Sequence, residues 1–121
     1  MTRDLIRLGK RADFLLAAKA SKAALRNLVL QARDRADEDA ACRIGFTVTR
    51  KVGNAVVRNR VRRRLRAAMR EAAPLAHDGH DYVLIGRRGA LSAPFAEIAG
   101  DLAAAFAKIH SRKIDSRKET D

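Results

Sequence analysis

The stretch Cys42–Ala73, CRIGFTVTRKVGNAVVRNRVRRRLRAAMREAA, decides the fold. From Cys42 to Thr49 it alternates: Cys42, Ile44, Phe46 and Val48 are apolar, while Arg43, Gly45, Thr47 and Thr49 fall on the other side. A period of two predicts a strand with one face toward a core. Beyond Arg43 the second face is small and polar, which leaves room for a ligand to approach the sheet. Gly53 breaks the strand and Asn54 is placed to cap a helix. That helix is expected from about Ala55 to Ala73, with Pro74 ending it. At about 100° per residue, Val57, Val61, Leu65, Ala68 and Ala72 share one narrow arc, a core-facing stripe. The change of period within one segment describes a strand feeding a helix that packs back on a sheet.

On the N-terminal side, residues 1–11 are basic and irregular. Ala12 to about Lys22 suits a short helix, with Phe14, Leu15 and Ala18 at helical spacing. Asn27–Ala32 is a short strand, and 33–41, RDRADEDAA, is a solvated loop. On the C-terminal side, 76–80, AHDGH, is a turn. Asp81–Arg87 is a strand whose Val83, Leu84 and Ile85 indicate burial on both faces. A last helix over 94–109 has Pro94 in its first turn and Phe95, Ile98, Leu102, Phe106 and Ile109 at helical spacing. Residues 110–121 are expected to be a polar, disordered tail. The order is helix, strands, helix, strand, helix. It predicts an α+β fold, a two-layer α–β sandwich forming one domain over residues 1–109.

Of the 121 residues, 47% are hydrophobic, enough for a core. The 26 Lys and Arg against 14 Asp and Glu leave a formal charge of +12. Such an excess repels itself, and an anionic partner relieves the repulsion. Nucleic acid leads, ahead of an acidic membrane or protein. The lone cysteine, Cys42, sits in the alternating run and reads as a core thiol. The N-terminal MTRDLIRLGKRADF has no apolar run of a secretory signal, and no stretch approaches the roughly 20 apolar residues of a membrane span. A cytoplasmic protein without a membrane partner is expected.

Arg50–Arg70 holds nine basic residues and no acidic one. Asn59, Arg62, Arg63, Arg66 and Arg70 lie opposite the core stripe. Arg58 and Arg64 flank it, and Arg60 lies between Arg64 and the far face. A merely solvated helix face mixes signs, because opposite charges four residues apart are stabilising. Here Arg58, Arg62, Arg66 and Arg70 repeat one sign at that spacing, at a cost of a few tenths of a kcal/mol per pair. Polyanion binding accounts for that arrangement. Arginine's planar fork grips phosphate and stacks on bases. A helix this long spans roughly 30 Å, enough to reach several phosphates. For DNA reading the helix offers Asn59 alone beside the arginines, with no helix-turn-helix before it. For membrane binding its apolar arc lacks Trp and Phe.

Other chemistry is scarce. His77, Asp78, His80 and Asp81 resemble metal ligands, but the run is turn chemistry around Gly79 with no further ligand evident, so a plain loop is expected. There is no glycine-rich phosphate loop and no credible nucleophile–histidine set. No catalytic residue and no protein-held metal are expected.

The string KVGNAVVRNRVRRRLR, Lys51–Arg66, resembles the signature of the bacterial ribonuclease P protein subunit, whose centre is the triplet Arg58, Asn59 and Arg60. RLGKRADF is similar to the family's lead-in to its first helix, IGFTVTRKVGNAV to its run from central strand into basic helix, and DYVLIGR to its next strand. The likeness covers about residues 7–109. It implies an α–β sandwich with a left-handed β-α-β crossover, where ordinary handedness rules give a right-handed one. It implies that a large RNA subunit performs the chemistry, removing the 5′ leader of precursor tRNA with magnesium held mainly by the RNA and none held tightly by the protein. Its partners would be that catalytic RNA and precursor tRNA, with no protein oligomer required. Carried over by position, Arg58, Asn59, Arg60, Arg62, Arg63 and Arg66 would contact the RNA subunit or organise the metal-rich site, with Arg50 and Lys51 close by and Arg70 on the same basic face. Phe14, with Thr47 on the strand's small-residue face, would line a cleft for the leader, where the ring could stack on a base. The same ring could instead anchor the first helix to the core. The family often has a second aromatic one turn later, where Ala18 stands here. A general RNA-binding or ribosome-associated protein is the alternative function, and a stand-alone protein nuclease lacks an active site.

Overall fold

Eight elements make up the fold, two of them a central pair of strands. β1 (Leu5–Arg7) leads into α1 (Arg11–Ala18), then a hairpin of β2 (Ser21–Ala24) and β3 (Leu28–Asp34). β4 (Cys42–Val48), α2 (Ala55–Ala72), β5 (His80–Gly86) and α3 (Phe95–Thr120) follow, with short 3-10 turns at Ala73–Leu75 and Arg88–Leu91. This computed structural model describes the backbone of residues 5–120 and the side chains of residues 5–111. Residues 1–4 of the basic lead-in, and the tail's side chains beyond 111, lie outside the described residues.

The strands form one mixed sheet in the order β1-β4-β5-β3-β2. β4 runs parallel to both β1 and β5, while β3 is antiparallel to β5 and β2 to β3. β4, α2 and β5 thus make a β-α-β unit between neighbouring strands. Register stacks the side chains in rows. Ile44, Tyr82 and Ala32 lie side by side, as do Phe46, Leu84 and Leu30. These rows face α2 and α3, whose Val61, Leu65, Met69, Ile98, Leu102 and Phe106 complete the main core. Burying each large aliphatic side chain is worth about 1.5–3 kcal/mol. The stripe read from sequence on α2 is the buried one, with Met69 added. Asn54 caps the helix by accepting from the Val57 N–H at 3.0 Å. Cys42 is buried in the core.

The opposite sheet face carries Gly45, Val83 and Gln31 in one row and Thr47, Ile85 and Val29 in the next. α1 lies over it, with Ala17 buried against Leu8 and Val83, and Phe14 and Ile85 packed alongside. β5 is therefore covered on both sides, as Val83, Leu84 and Ile85 predicted.

Four expectations are corrected. The N-terminal segment is not wholly irregular, because Leu5–Arg7 pair with Cys42–Ile44. The first helix ends at Ala18, and Lys22 belongs to β2, where pairing with β3 overrides the helix preference of Ala and Lys. Its sheet-facing positions are Phe14 and Ala17, while Leu15 and Ala18 are exposed. Two helical turns are too few for apolar spacing to fix the phase. The segment 33–41 is not simply a solvated loop, since β3 runs to Asp34 and the Arg35 side chain is buried against Asp81. Finally, α3 passes the expected end at 109 and continues to Thr120 where a tail was expected, so His110 lies within the helix. Among the described residues no helix is long and apolar enough to cross a membrane.

Candidate functional site

β1 is only three residues long, and its brevity creates the site. After Leu8, whose N–H donates to the Ile44 carbonyl at 2.9 Å, the chain turns away into α1 and leaves the next part of β4 uncovered. A cleft of about 680 Å³ opens there. Leu5, Arg7 and Leu8 form its rim, Ile44, Gly45 and Phe46 its floor, and Phe14 one wall. The other wall is α2, through Asn59, Arg62, Arg63 and Arg66. These four α2 residues share the helix face opposite the buried stripe, so the fold that buries Val61 and Leu65 turns them into the cleft.

Gly45 sets the cleft's shape. A Cβ on it would stand 2.5 and 2.6 Å from two atoms of the Phe14 ring. Only a glycine lets that ring rest on the strand. Phe14 packs on the minor core and also lines the cleft. The Arg62 Nη1 donates to the Asn59 side-chain oxygen at 2.8 Å, which steadies that guanidinium. The Arg66 guanidinium stands 5.6 Å over the Phe46 ring, a cation–π arrangement.

Four arginines and two phenylalanines line this cleft, and among the described residues none of its side chains is acidic. Guanidinium forks bind phosphate oxygens, and aromatic faces stack on bases. Among the described residues the lining contains no serine, cysteine, histidine or carboxylate, and so no nucleophile or general base. Nor does it offer the carboxylate oxygens that a magnesium ion takes from protein.

The remaining residues singled out from the sequence are dispersed. Arg50 and Lys51 are exposed in the turn between β4 and α2, and Thr47 lies on the neighbouring sheet row; none of the three lines the cleft. Arg58 is half-buried at the cleft-side flank of α2, its Nε enclosed without a hydrogen-bond partner. Arg70 is exposed one turn beyond Arg66. Arg60 is exposed one turn before Arg64, on the side away from the cleft. Arg64 is structural: its guanidinium donates to the carbonyls of Ala90, Leu91 and Ala93 at 2.8, 2.9 and 2.5 Å. Sequence reasoning missed Arg7, Leu5, Leu8 and Phe46 as cleft residues. Phe46 read as pure core because it alternates with core residues. It is half-buried instead, and supplies from the strand a second aromatic that Ala18 does not supply from α1.

A second charged group sits on the α1 face of the sheet. Asp81 is fully buried within β5. It accepts from Arg43 Nε and Nη2 at 2.6 and 2.7 Å and from Arg35 Nη1 at 2.8 Å. Burial alone would raise its carboxyl, but the hydrogen bonds from Arg43 and Arg35 outweigh burial and hold it below the usual carboxylate range. Asp13 of α1 reaches both Arg33 and Arg43 at 3.6 Å, fixing the helix across the sheet. These three arginines are neutralised internally, unlike those of the cleft.

Comparison with known proteins agrees with this fold. The sequence profile of the family described as Ribonuclease P matches residues 3–110. The ribonuclease P protein component of Gluconacetobacter diazotrophicus is 57% identical over 100 residues, covering 79% of this chain and 84% of that protein. The one from Ruegeria pomeroyi is 48% identical over 109 residues, covering 88% of this chain and 87% of that protein. Among solved structures, the Staphylococcus aureus RNase P protein superposes with a TM-score of 0.70 at 28% identity, covering 85% of this chain and 95% of that one. The Thermotoga maritima RNase P protein superposes with a TM-score of 0.67 at 29% identity, covering 79% of this chain and 90% of that one. The chain belongs to the ribonuclease P protein family.

Proposed function

We infer that this chain is the protein subunit of a ribonuclease P, an endoribonuclease complex that processes tRNA. It binds the catalytic RNA through the basic face of α2 and holds the 5′ leader of precursor tRNA in the cleft between α1, β4 and α2. In doing so it assists magnesium-dependent removal of the leader, which leaves the mature tRNA 5′ end. The observation that carries this reading is the cleft itself: four arginines and two aromatic rings, with no acid and no nucleophile among its described residues. Such a surface grips an RNA strand and leaves bond cleavage to its partner. The cleft residues do not fit a magnesium ion, so the ions are assigned to the RNA subunit.

The protein's own contribution is positional. Arg62, braced by Asn59, and Arg66, resting on Phe46, are held in place before RNA arrives. Less side-chain freedom is then lost on binding. Phe14 offers its ring from the opposite wall, so a strand lying between α1 and α2 meets phosphate ligands on one side and a stacking surface on the other.

Reconstitution tests the proposal. The chain mixed with catalytic RNA and precursor tRNA at low magnesium should accelerate accurate 5′ processing over RNA alone. Cleavage of precursor tRNA by the protein without RNA would refute it. RNA binding with no acceleration would point instead to a general RNA-binding or ribosome-associated protein.

A further inference from the structure

The sequence holds three histidines, and the fold brings all of them to one place. His77 lies in the turn before β5, His80 is the first residue of β5, and His110 lies in α3. Each offers a ring nitrogen, and the three atoms lie within 4.8 Å of one another. The turn alone read as a plain loop because its third partner is 30 residues away in sequence, beyond any local spacing rule.

We propose that His77, His80 and His110 form a binding site for a zinc-class transition-metal ion. Imidazole nitrogen suits zinc, cobalt, nickel and copper, whereas magnesium and calcium take oxygen. Three histidines and one water complete a tetrahedral set. The surroundings orient two of the rings. His80 is buried, with Nδ1 2.9 Å from the Asp78 carbonyl. Donation from Nδ1–H to that oxygen leaves the Nε2 lone pair for a metal. The His110 Nε2 stands 3.0 Å from the Tyr82 hydroxyl, which also accepts from the His77 N–H at 2.9 Å. With His110 Nε2–H donating to that oxygen, Nδ1 becomes the ligand atom. The turn is itself braced: Gly79, at φ +71, donates to the Ala40 carbonyl at 3.1 Å and accepts from Arg35 at 3.0 Å.

One rearrangement is required. The His77 and His110 rings are stacked, with centroids 3.4 Å apart and planes 11° apart. In-plane lone pairs of parallel rings do not converge on one ion. His77 is exposed, so its ring can turn out of the stack while His80 and His110 keep their places. The competing account is that the rings only pack as an aromatic cluster with Tyr82 and Phe106. None of the three histidines lines the basic cleft. The site's ion would clamp the turn before β5 onto α3, bracing the fold without occupying the RNA surface, and the proposal stands whether or not the RNA reading holds.

The test uses the full chain without affinity tags at neutral pH. Cobalt(II) should give the visible absorption of a tetrahedral complex, saturating at one equivalent. Zinc should displace it, and at a hundredfold excess over its Kd should raise Tm by about 5–10 °C, reversed by a chelator. Magnesium should do neither. His77→Ala, at an exposed position, should keep the parent's circular dichroism and weaken cobalt binding at least tenfold, and His110→Gln should weaken it as much. Absence of cobalt absorption and of a zinc-induced Tm shift in the unmodified chain would overturn the proposal. Binding weakened less than tenfold by His77→Ala would also overturn it, identifying an adventitious surface site.

Discussion

Asp81 shows how much one residue can decide while remaining almost invisible in a sequence. In sequence it stands between a glycine turn and an apolar strand, where a carboxylate reads as a solvent-facing strand end. The fold instead buries it completely and sets Arg43 across the parallel pair and Arg33 across the antiparallel one. Arg35 closes the group from beyond β3. Removing one member of a buried ionic group leaves the others uncompensated, so Asp81→Asn should destabilise the chain by about 3–5 kcal/mol at neutral pH. The pH dependence has a definite sign. Because the folded carboxyl is held below its ordinary value, its contribution is fully present above the unfolded value of about 3.9 and is lost as pH falls through the folded one. Urea unfolding of the parent should therefore lose stability below about pH 4. The Asp81→Asn variant should lack that part of the acid limb. A variant as stable as the parent at pH 7 would show that the pairing adds nothing. Gly45 was legible only in part: its small size suggested room for a ligand, but the Phe14 ring fills that room, and the opening lies beside it.

At the level of the element, α2 was readable and β1 and β2 were not, for one physical reason. α2 has five turns, so its 3.6-residue pattern repeats often enough to fix both phase and ends, and Asn54 and Pro74 mark those ends chemically. β1 and β2 have three and four residues, too few to show a period, and they exist because a neighbouring strand pairs with them. The readable phase of α2 also separates its arginines by task, although all look alike in sequence. Arg64 holds three carbonyls of the segment before α3, and Arg66 faces the cleft. Arg64→Ala should cost stability, about 1–3 kcal/mol for the carbonyls left unsatisfied, with the salt dependence of RNA binding unchanged. Arg66→Ala should leave the unfolding midpoint near that of the parent and reduce the slope of log affinity against log salt by nearly one. Chemical denaturation and RNA titration on the same two variants check both halves. If the two variants exchange these effects, the assignment of the helix faces is wrong.

The whole molecule carries a formal charge of +12, yet that number overstates what RNA meets, because the fold sorts its cations. Arg33, Arg35 and Arg43 are committed to Asp81 and Asp13, and Arg64 to backbone carbonyls. Arg7, Arg62, Arg63 and Arg66 line the cleft, and Arg58 and Arg70 extend the same helix edge, giving about six arginines on one side. Each phosphate neutralised releases condensed counterions, so about six contacts predict a slope of log affinity against log salt of about −4 to −5. Binding governed by net charge alone would give about −8 to −11. Titration of precursor tRNA with the chain over a range of potassium concentrations separates the two. A slope near the steeper value would mean that RNA collects cations from all around the molecule. A slope near zero would deny an electrostatic interface altogether. The shallower value is expected because salt dependence counts the cations that phosphates reach together: four arginines are engaged inside the fold, and other exposed cations, such as Arg60, lie away from the cleft.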